Sequence, residues 1–196
     1  MDELSKIHHL YKLKQVHRHN MAGDRSESAA DHTWSSMILA EYFFPKIDVP
    51  LDKERVRQLI LFHDLVEIES GDTFVLNDRA DQTSKERAAF NVLLMRMPSS
   101  LADQYEELFE EYEARETVEA KFAWAIDMLD PMIDGLDHKE EVWRKHKFTE
   151  EKIRRHKEEY VKEFAVLHAF FEEMIIYLRE NGYFTPDDQG DAGSKV

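Results

Sequence analysis

Apolar residues recur at steps of three and four along most of the chain, and alternating apolar and polar positions are rare. The first spacing places side chains on one face of a helix, whereas alternation is typical of a strand. The pattern therefore predicts an all-α fold, a bundle of about seven helices. These helices are predicted to begin near Leu4, Ser28, Asp52, Thr83, Ser99 or Ser100, Thr117 and Thr149.

Capping residues mark two of the helix starts. Ser28 stands three residues before Asp31, which is a variant of the capping box, and Thr83 forms a second such pair with Glu86. The first box fixes His32 in the first turn of its helix.

Helix breakers mark several boundaries. Pro131 removes a backbone N–H whose helical acceptor would be the Asp127 carbonyl, so a kink is expected near Asp127 and a break near Pro131 and Gly135. The long C-terminal helix is predicted over residues 149–180, with Gly182 just beyond its end. The polar segment 18–27 is predicted to be a loop.

Length and composition narrow the class of protein. The chain has 196 residues, 42% of them hydrophobic, which suits a single domain over 1–184 with a disordered polar tail over 185–196. The absence of cysteine excludes disulfides and thiolate metal sites and fits a reducing cytoplasm. No apolar run approaches the roughly 18 residues of a membrane span, and the first residues do not resemble a signal peptide. We therefore expect a soluble, cytoplasmic protein with no membrane partner.

The net charge of −15 argues against a nucleic acid polymer as a partner, because the phosphate backbone would be repelled over most of the surface. A small phosphorylated substrate is compatible with this charge. Its phosphate can be met locally by a metal ion and one or two arginine side chains.

The pair His63-Asp64 is the main candidate for chemistry. It follows four consecutive apolar residues at 59–62 on a predicted helix. Burying an imidazole beside a carboxylate is unfavourable unless both are hydrogen-bonded or coordinated to a metal. The pair therefore indicates a metal site.

Two further ligand-type residues, His32 and Asp127, lie on buried faces of other predicted helices. Two imidazoles and two carboxylates suit Mn, Fe, Co, Ni, Zn or Mg, so the ligand set does not select one metal. Asp127 taken alone could be a polar group at the kink. Asp130 and Asp134 compete for its role at offsets of three and seven residues.

The order of these four residues resembles the HD-domain superfamily of metal-dependent phosphohydrolases, which is all-helical. The segments at 27–32, at 63–67 with 71–73, and at 119–122 are similar to the bacterial 5′-deoxynucleotidases and their eukaryotic HD-domain relatives. The similarity covers residues 4–138. It implies that His32, His63, Asp64 and Asp127 bind one divalent cation, and that the protein forms a homodimer.

The resemblance also implies substrate-binding roles. Glu67 and Asp72 match residues beside the nucleotide, and Arg18 matches an arginine that holds the phosphate. The family often has a bulky residue after that arginine, whereas this chain has His19, and its loop to the first histidine is about one residue shorter. Arg25 could therefore share or take the role of Arg18.

Glu67 is four residues after His63 and so lies on the same helix face, where a general acid or base belongs. The structural alternatives are a salt bridge for Glu67 and a turn position after Gly71 for Asp72. No histidine occurs between Asp64 and Asp137, whereas HD phosphodiesterases with several metals use additional histidines there. This difference favours a single ion.

These inferences predict a metal-dependent phosphohydrolase that removes the 5′-phosphate from (deoxy)nucleoside monophosphates. The alternatives are a hydrolase of another small phosphate ester, a non-catalytic metal- or nucleotide-binding HD module, and a metal-free helical interaction protein. The native metal and the base and sugar preference do not follow from the sequence. The remaining histidines are expected at the surface or at helix boundaries, without chemistry: His8, His9, His17, His138, His146, His156 and His168.

Overall fold

The computed structural model describes residues 2–72 and 79–186, with the backbone alone for 79–86. Residues 187–196 of the predicted tail, the side chains of Thr83 and Glu86, and Thr73 of the 71–73 segment lie outside this description. Within the described residues the fold is helical with one small sheet, which confirms the predicted all-α bundle.

The described part of the chain forms nine α-helices and a two-stranded antiparallel sheet. The elements are α1 (Glu3–Leu10), β1 (His17–Ala22), β2 (Arg25–Ser28), α2 (Ala29–Phe43), α3 (Lys53–Phe62), α4 (Glu67–Ser70), α5 (Arg79–Arg96), α6 (Ser99–Ala114), α7 (Val118–Asp134), α8 (Glu150–Val161) and α9 (Ala165–Glu180). Short 3₁₀ segments cover Tyr11–Gln15, Phe44–Lys46, His63–Val66 and Gly135–Asp137, and a π-helical segment covers Lys139–Arg144.

Helix α7 lies at the centre of the larger hydrophobic cluster, where it packs against α2, α3, α6 and α8. Phe122, Ile126 and Leu129 on α7 are fully buried. Each such side chain contributes about 1.5–3 kcal/mol by leaving water. The helix that carries Asp127 is therefore held firmly by its surroundings.

A smaller hydrophobic cluster is built mainly from α5, α6 and the 3₁₀ segment His63–Val66. The rings of Phe90 and Phe109 stack there with centroids 4.2 Å apart. Phe62 packs against both clusters. The residue before the His63-Asp64 pair thus marks the junction of the two.

Three predicted boundaries are confirmed. The Ser28 hydroxyl accepts the Asp31 backbone N–H while the Asp31 carboxylate accepts the Ser28 backbone N–H, which is a complete capping box. Thr117 caps α7 by accepting from the backbone N–H of Ala120. The last helix ends just before Gly182, whose φ of 66° suits glycine.

The predicted third helix is divided. Helix α3 ends at Phe62, and the 3₁₀ segment His63–Val66 follows before the short helix α4. The His63 ring is 2.7 Å from the Ile60 carbonyl, which a continuous helix would pair with the Asp64 backbone N–H. The His63 side chain thus competes with the backbone N–H of Asp64 for the Ile60 carbonyl, at the point where the α-helix gives way to the 3₁₀ segment.

The predicted C-terminal helix is also divided, into α8 and α9, which pack against each other. Phe164 has extended backbone angles between them and packs edge-on against Phe122 at 5.4 Å. Among the aromatic residues of α9, Phe171 is fully buried and Phe170 packs against Phe43 at 5.3 Å, whereas Tyr177 is half exposed.

Other boundaries differ from the prediction. Segment 18–27 is a β-hairpin, not a loop, and turns at Gly23 with a φ of 65°. Helix α5 begins at Arg79, before Thr83, and α6 follows Pro98 without a side-chain cap from either serine. Helix α7 continues through Pro131, where a break was expected, and ends at Asp134, next to the predicted break at Gly135. Among the described helices, none combines the length and apolar character needed to cross a membrane.

Candidate metal centre

Three elements bring the four predicted ligands together. His32 comes from the first turn of α2, His63 and Asp64 from the 3₁₀ segment, and Asp127 from α7. The Oδ1 atom of Asp127 lies 2.9 Å from His32 Nε2 and 3.9 Å from His63 Nε2. Asp64 lies 3.1 Å from His63 Nε2 through Oδ1 and 3.9 Å from His32 Nε2 through Oδ2.

The His63 ring fits a metal ligand. Its Nδ1 atom donates to the Ile60 carbonyl at 2.7 Å, so a neutral ring carries its free electron pair on Nε2. That Nε2 atom is buried and has no hydrogen-bond partner among the described residues. Two carboxylates lie beside it, so a divalent cation would satisfy all three groups at once.

His32 is fully buried between two carboxylates. Its Nδ1 atom lies 2.8 Å from Asp130 Oδ2, and its Nε2 atom lies 2.9 Å from Asp127 Oδ1. Burial and Arg18 act to lower the pKa of His32, but the hydrogen bonds to Asp127 and Asp130 outweigh them and raise it to about 10. Metal binding through Nε2 requires loss of the proton shared with Asp127.

Asp127 is oriented by its neighbours. The Tyr112 hydroxyl donates to Asp127 Oδ2 at 3.0 Å, which leaves Oδ1 facing the two histidines. Burial acts to raise the pKa of Asp127, but the hydrogen bond from His32 and the nearby positive charges hold it well below its usual range. The carboxylate is thus ionised and able to ligate a cation.

Asp130 and Asp134, the sequence alternatives to Asp127, take other positions. Asp130 contacts the far nitrogen of His32 and also accepts from the Ser35 hydroxyl at 2.9 Å. Asp134 lies one turn further along α7, where burial and Asp130 raise its pKa to about 6. A carboxylate behind a ligating histidine fixes the ring and makes its free nitrogen more basic.

Arg18 is placed beside the four residues on β1. Its Nη1 atom lies 3.1 Å from Asp64 Oδ2 and 3.7 Å from Asp72 Oδ1, and its Nε atom lies 3.4 Å from Glu27 Oε2. Burial raises the pKa of Glu27 to about 7, against the lowering effect of His32 and Arg18. The charge of Arg18 is therefore already met by neighbouring carboxylates.

Arg25 is not brought to this group. Its guanidinium binds Asp31 at 2.6 and 3.1 Å, and its side chain is 55% exposed on the outside of the hairpin. Its expected role in phosphate binding would require that pair to open.

Glu67 and Asp72 face the same space. Glu67 has a buried Oε2 atom without a hydrogen-bond partner among the described residues, and burial together with the charge of Asp64 raises its pKa well above the ordinary value. Asp72 binds His19 Nδ1 at 3.0 Å after a turn in which Gly71 adopts a φ of 74°, a conformation that favours glycine.

A cavity of about 360 Å³ opens in front of these groups. This volume lies within the usual range for small-molecule sites. Its walls combine the candidate ligands with acidic, basic and aromatic side chains from distant parts of the chain: Arg18, His63, Asp64, Glu67, Asp72, Tyr112, Arg115, Trp124, Asp127, Trp143, His146, Phe148, Ile153, Arg155, His156, Lys157 and Tyr160.

The far wall of the cavity depends on a close approach between Gly135 and Trp143. The Trp143 indole donates to the Gly135 carbonyl at 2.9 Å, and a Cβ atom at position 135 would lie 2.8 Å from the indole nitrogen. Trp143 belongs to the π-helical segment, a form that is frequent at functional sites.

Several residues of the site were missed from the sequence. Neither Tyr112 nor Lys157 was identified as a candidate, although Lys157 lies four residues after the buried Ile153 on α8. His146 and His156 line the cavity, and His9 is buried against Glu69 at 2.6 Å. A lysine at a core position of a helix is the one signal that could have been noticed.

Known proteins resemble this chain in sequence. A sequence model described as HD domain matches residues 10–168. The 5′-deoxynucleotidase HDDC2 of Xenopus laevis is 31% identical over 119 residues, 60% of this chain and 58% of that protein. The Homo sapiens protein of the same name is 27% identical over 118 residues, 59% of this chain and 56% of that protein. The chain thus matches less than two thirds of the length of these curated relatives.

Solved structures resemble it as well. The crystal structure of a predicted metal-dependent phosphohydrolase from Magnetospirillum magnetotacticum has a TM-score of 0.82 at 30% identity, covering 93% of this chain and 96% of that chain. An HD-domain phosphohydrolase from Listeria innocua shares the fold, with a TM-score of 0.61 at 17% identity and coverage of 90% and 89%.

Proposed function

This chain belongs to the HD domain family, and on that premise we propose that it is a metal-dependent phosphohydrolase that removes the 5′-phosphate from nucleoside monophosphates, with deoxynucleotides as the expected substrates. The observation that carries the proposal is the convergence of His32, His63, Asp64 and Asp127 beside a cavity whose wall also presents Glu67.

The four converging side chains would hold one divalent cation. Such an ion would draw charge from a phosphoryl oxygen and lower the pKa of a water molecule. Asp64 and Asp127 supply negative charge, while His63 supplies a neutral nitrogen that its bond to Ile60 keeps in one tautomer. Mn, Co, Fe, Ni, Zn and Mg all remain compatible with this ligand set.

Glu67 is the residue that moves protons. Its raised pKa leaves the carboxyl able to donate, and no described side chain occupies its Oε2 atom. A carboxyl group in this state can protonate the ester oxygen as the phosphate leaves.

Arg18 orients both the site and the phosphate. It holds Asp64 and Asp72 with one edge of its guanidinium, and the planar group still has further N–H donors for a phosphate oxygen. Asp72 then contacts the substrate at the mouth of the site, next to His19.

A nucleoside is favoured as the leaving group by two observations. The cavity is larger than a phosphate requires, and its aromatic residues provide flat apolar surfaces on which a base can pack. The similar proteins HDDC2 carry the name 5′-deoxynucleotidase. A homodimer and a cytoplasmic location are further parts of the proposal and are supported only by the resemblance and the lack of cysteine.

The test is phosphate release from a substrate panel. Protein loaded in turn with each candidate metal is incubated with 5′- and 3′-nucleoside monophosphates, in ribose and deoxyribose forms, and with non-nucleotide phosphate esters. Release from 5′-deoxynucleotides, lost in Asp64→Ala and strongly reduced in Glu67→Gln, is expected. Release no greater than that of Asp64→Ala with every metal would contradict the proposal.

Two other outcomes select the alternatives. Hydrolysis confined to a non-nucleotide ester would keep the enzyme class and change the substrate. Tight nucleotide binding without phosphate release would favour a binding module, and failure to bind any divalent ion would favour a metal-free interaction protein.

A further inference from the structure

Helix α8 contributes a buried lysine to the cavity wall. Lys157 is only 5% exposed, yet it lines the same cavity as Glu67 and Asp127. Its Nζ atom donates to the Met128 backbone carbonyl at 2.7 Å. This contact places the ammonium group next to the residue that follows Asp127.

The charge of Lys157 has no carboxylate counterpart. Among the described residues, no carboxylate oxygen lies within 4 Å of its Nζ atom, and its hydrogen-bond acceptor is a neutral carbonyl. Lys121, by comparison, pairs with Glu163 at 3.0 Å in a half-exposed position. A buried ammonium with three donors and one neutral acceptor is unfavourable unless an anion completes its surroundings.

The other buried cation of the site is already engaged. Arg18 contacts Asp64, Asp72 and Glu27, so the arrival of an anion there must compete with three carboxylates. Lys157 has no carboxylate within 4 Å among the described residues, and Asp127 and Asp130 act on it only from further away. It is therefore the better placed of the two for neutralising a negatively charged ligand.

The surroundings of Lys157 match an anion joined to an apolar group. Ile153, Lys157 and Tyr160 lie at steps of four and three residues, on one face of α8, and all line the cavity. The Tyr160 ring packs against Trp124 with centroids 5.8 Å apart. An aromatic wall thus flanks the ammonium group.

Burial lowers the pKa of Lys157 to about 8, against the raising effect of Asp127. The ammonium form therefore still predominates at neutral pH, where an anion can pair with it.

We propose that Lys157 is a substrate-binding residue whose ammonium group pairs with the phosphate of the bound ester, in the cavity that Arg18 also lines. This inference rests on the proposed phosphohydrolase function. It assigns to α8 a direct part in substrate binding.

The test compares Lys157→Met, which keeps the length and apolar stem of the side chain, with Lys121→Met as the matched control. Inorganic phosphate is titrated into metal-loaded protein by calorimetry. Hydrogen bonds to charged groups are worth enough that Lys157→Met is expected to bind phosphate about tenfold or more weakly. Lys121→Met is expected to bind it as the unmodified protein does.

Metal affinity, measured on the same proteins, separates a binding role from a structural one. Unchanged metal affinity in Lys157→Met alongside weakened phosphate binding supports the proposal. Equal loss of metal and phosphate would overturn it, because Lys157 would then act only through the α7 backbone next to Asp127. Unchanged phosphate binding would overturn it too.

A conservative variant and the phosphate titration cover two other outcomes. If Lys157→Met does not fold, Lys157→Arg carries the test, since it retains the charge: phosphate binding within about threefold of the unmodified protein supports the proposal, and complete loss contradicts it. If the unmodified protein hydrolyses no ester, the proposed function fails, yet the phosphate titration still decides whether Lys157 binds the anion.

Discussion

Two of the three clusters of ligand-type side chains among the described residues have similar spacing and different chemistry. In one, His32, His63 and Asp127 place one possible ligand atom each within 4.8 Å of one another, and in the other Glu158, His168 and Glu172 do the same between α8 and α9. We refer to them as the buried cluster and the helix-pair cluster.

The difference lies in how the negative charge is met. In the helix-pair cluster the Arg154 guanidinium binds Glu172 at 2.6 and 2.9 Å and lies 3.5 Å from Glu158, and all members are partly exposed to water. The buried cluster has no such arginine: among the described residues Arg18 contacts the neighbouring Asp64 at 3.1 Å, but no arginine nitrogen lies within 4 Å of Asp127. Proximity of ligand-type atoms is therefore not enough to define a metal centre; an unmet charge in a buried position is the better criterion.

Loss of Asp64, the predicted ligand next to the buried cluster, should produce the largest effect. Asp64→Ala removes one of two carboxylates that face the histidines, so affinity for Mn²⁺ should fall by more than about 100-fold. Glu158→Ala, in the helix-pair cluster, should leave that affinity unchanged. Metal titration of both variants checks this. Similar losses of Mn²⁺ affinity in the two variants would show that the two clusters do not differ in metal binding.

Removal of the metal should destabilise the protein next most strongly. A ligand present at about 100 times its Kd stabilises the folded state by about 2.7 kcal/mol. For a domain of this size, stripping the metal with a chelator should therefore lower Tm by roughly 5–10 °C. Differential scanning calorimetry measures the shift, and Glu172→Gln should show the same shift as the unmodified protein. An equal Tm with and without the metal would indicate that the buried cluster does not bind it.

Asp130→Asn tests the carboxylate behind His32. The amide cannot accept the imidazole N–H with the same charge, so metal affinity should fall by about 10- to 100-fold without loss of the fold. Asp137→Asn, at an exposed position just beyond α7, is the matched control and should have no effect. An Asp130→Asn variant that binds metal normally would show that His32 needs no support from Asp130.

The smallest effect is expected at the ion pairs between α8 and α9. Hydrogen bonds from Arg179, and then from Arg154, lower the pKa of Glu150 to about 2. A lowered carboxylate pKa stabilises the folded state above the unfolded value of about 4.3, and this contribution is lost as the pH falls toward 2.

Glu150→Gln should therefore reduce the free energy of unfolding by no more than about 1 kcal/mol at pH 7, because the pairs are near the surface. The difference between variant and unmodified protein should shrink as the pH is lowered from 5 to 3. Urea denaturation at several pH values measures the free energy of unfolding of both proteins. A difference between them that grows as the pH falls would contradict the lowered pKa of Glu150.

The helical class and three of the four candidate ligands could be predicted because each leaves a local mark, whereas Asp127 was chosen over Asp130 and Asp134 only by the resemblance to the HD-domain superfamily. His63 and Asp64 interrupt an apolar run, and the Ser28 capping box fixes the start of α2 one turn before His32. The structure brings these residues together, and their role as ligands remains a prediction. Local patterns of this kind need no knowledge of the tertiary structure.

The features that could not be predicted depend on distant partners. No glycine or proline marks the break between α8 and α9, which arises where Phe164 packs against Phe122. The hairpin of β1 and β2 is polar, so its pairing leaves little alternating pattern. Tyr112 and Lys157 look like ordinary stripe residues until Asp127 and the cavity are seen beside them.

The position of Phe62 at the junction of the two hydrophobic clusters has a mechanical consequence. Asp127 sits on a helix of the larger cluster, whereas Leu65 and Val66, directly after Asp64, belong to the smaller one. A cation bound by both Asp64 and Asp127 would therefore link the two hydrophobic clusters. Local unfolding of either cluster would then also disrupt the site where the chemistry is proposed to occur.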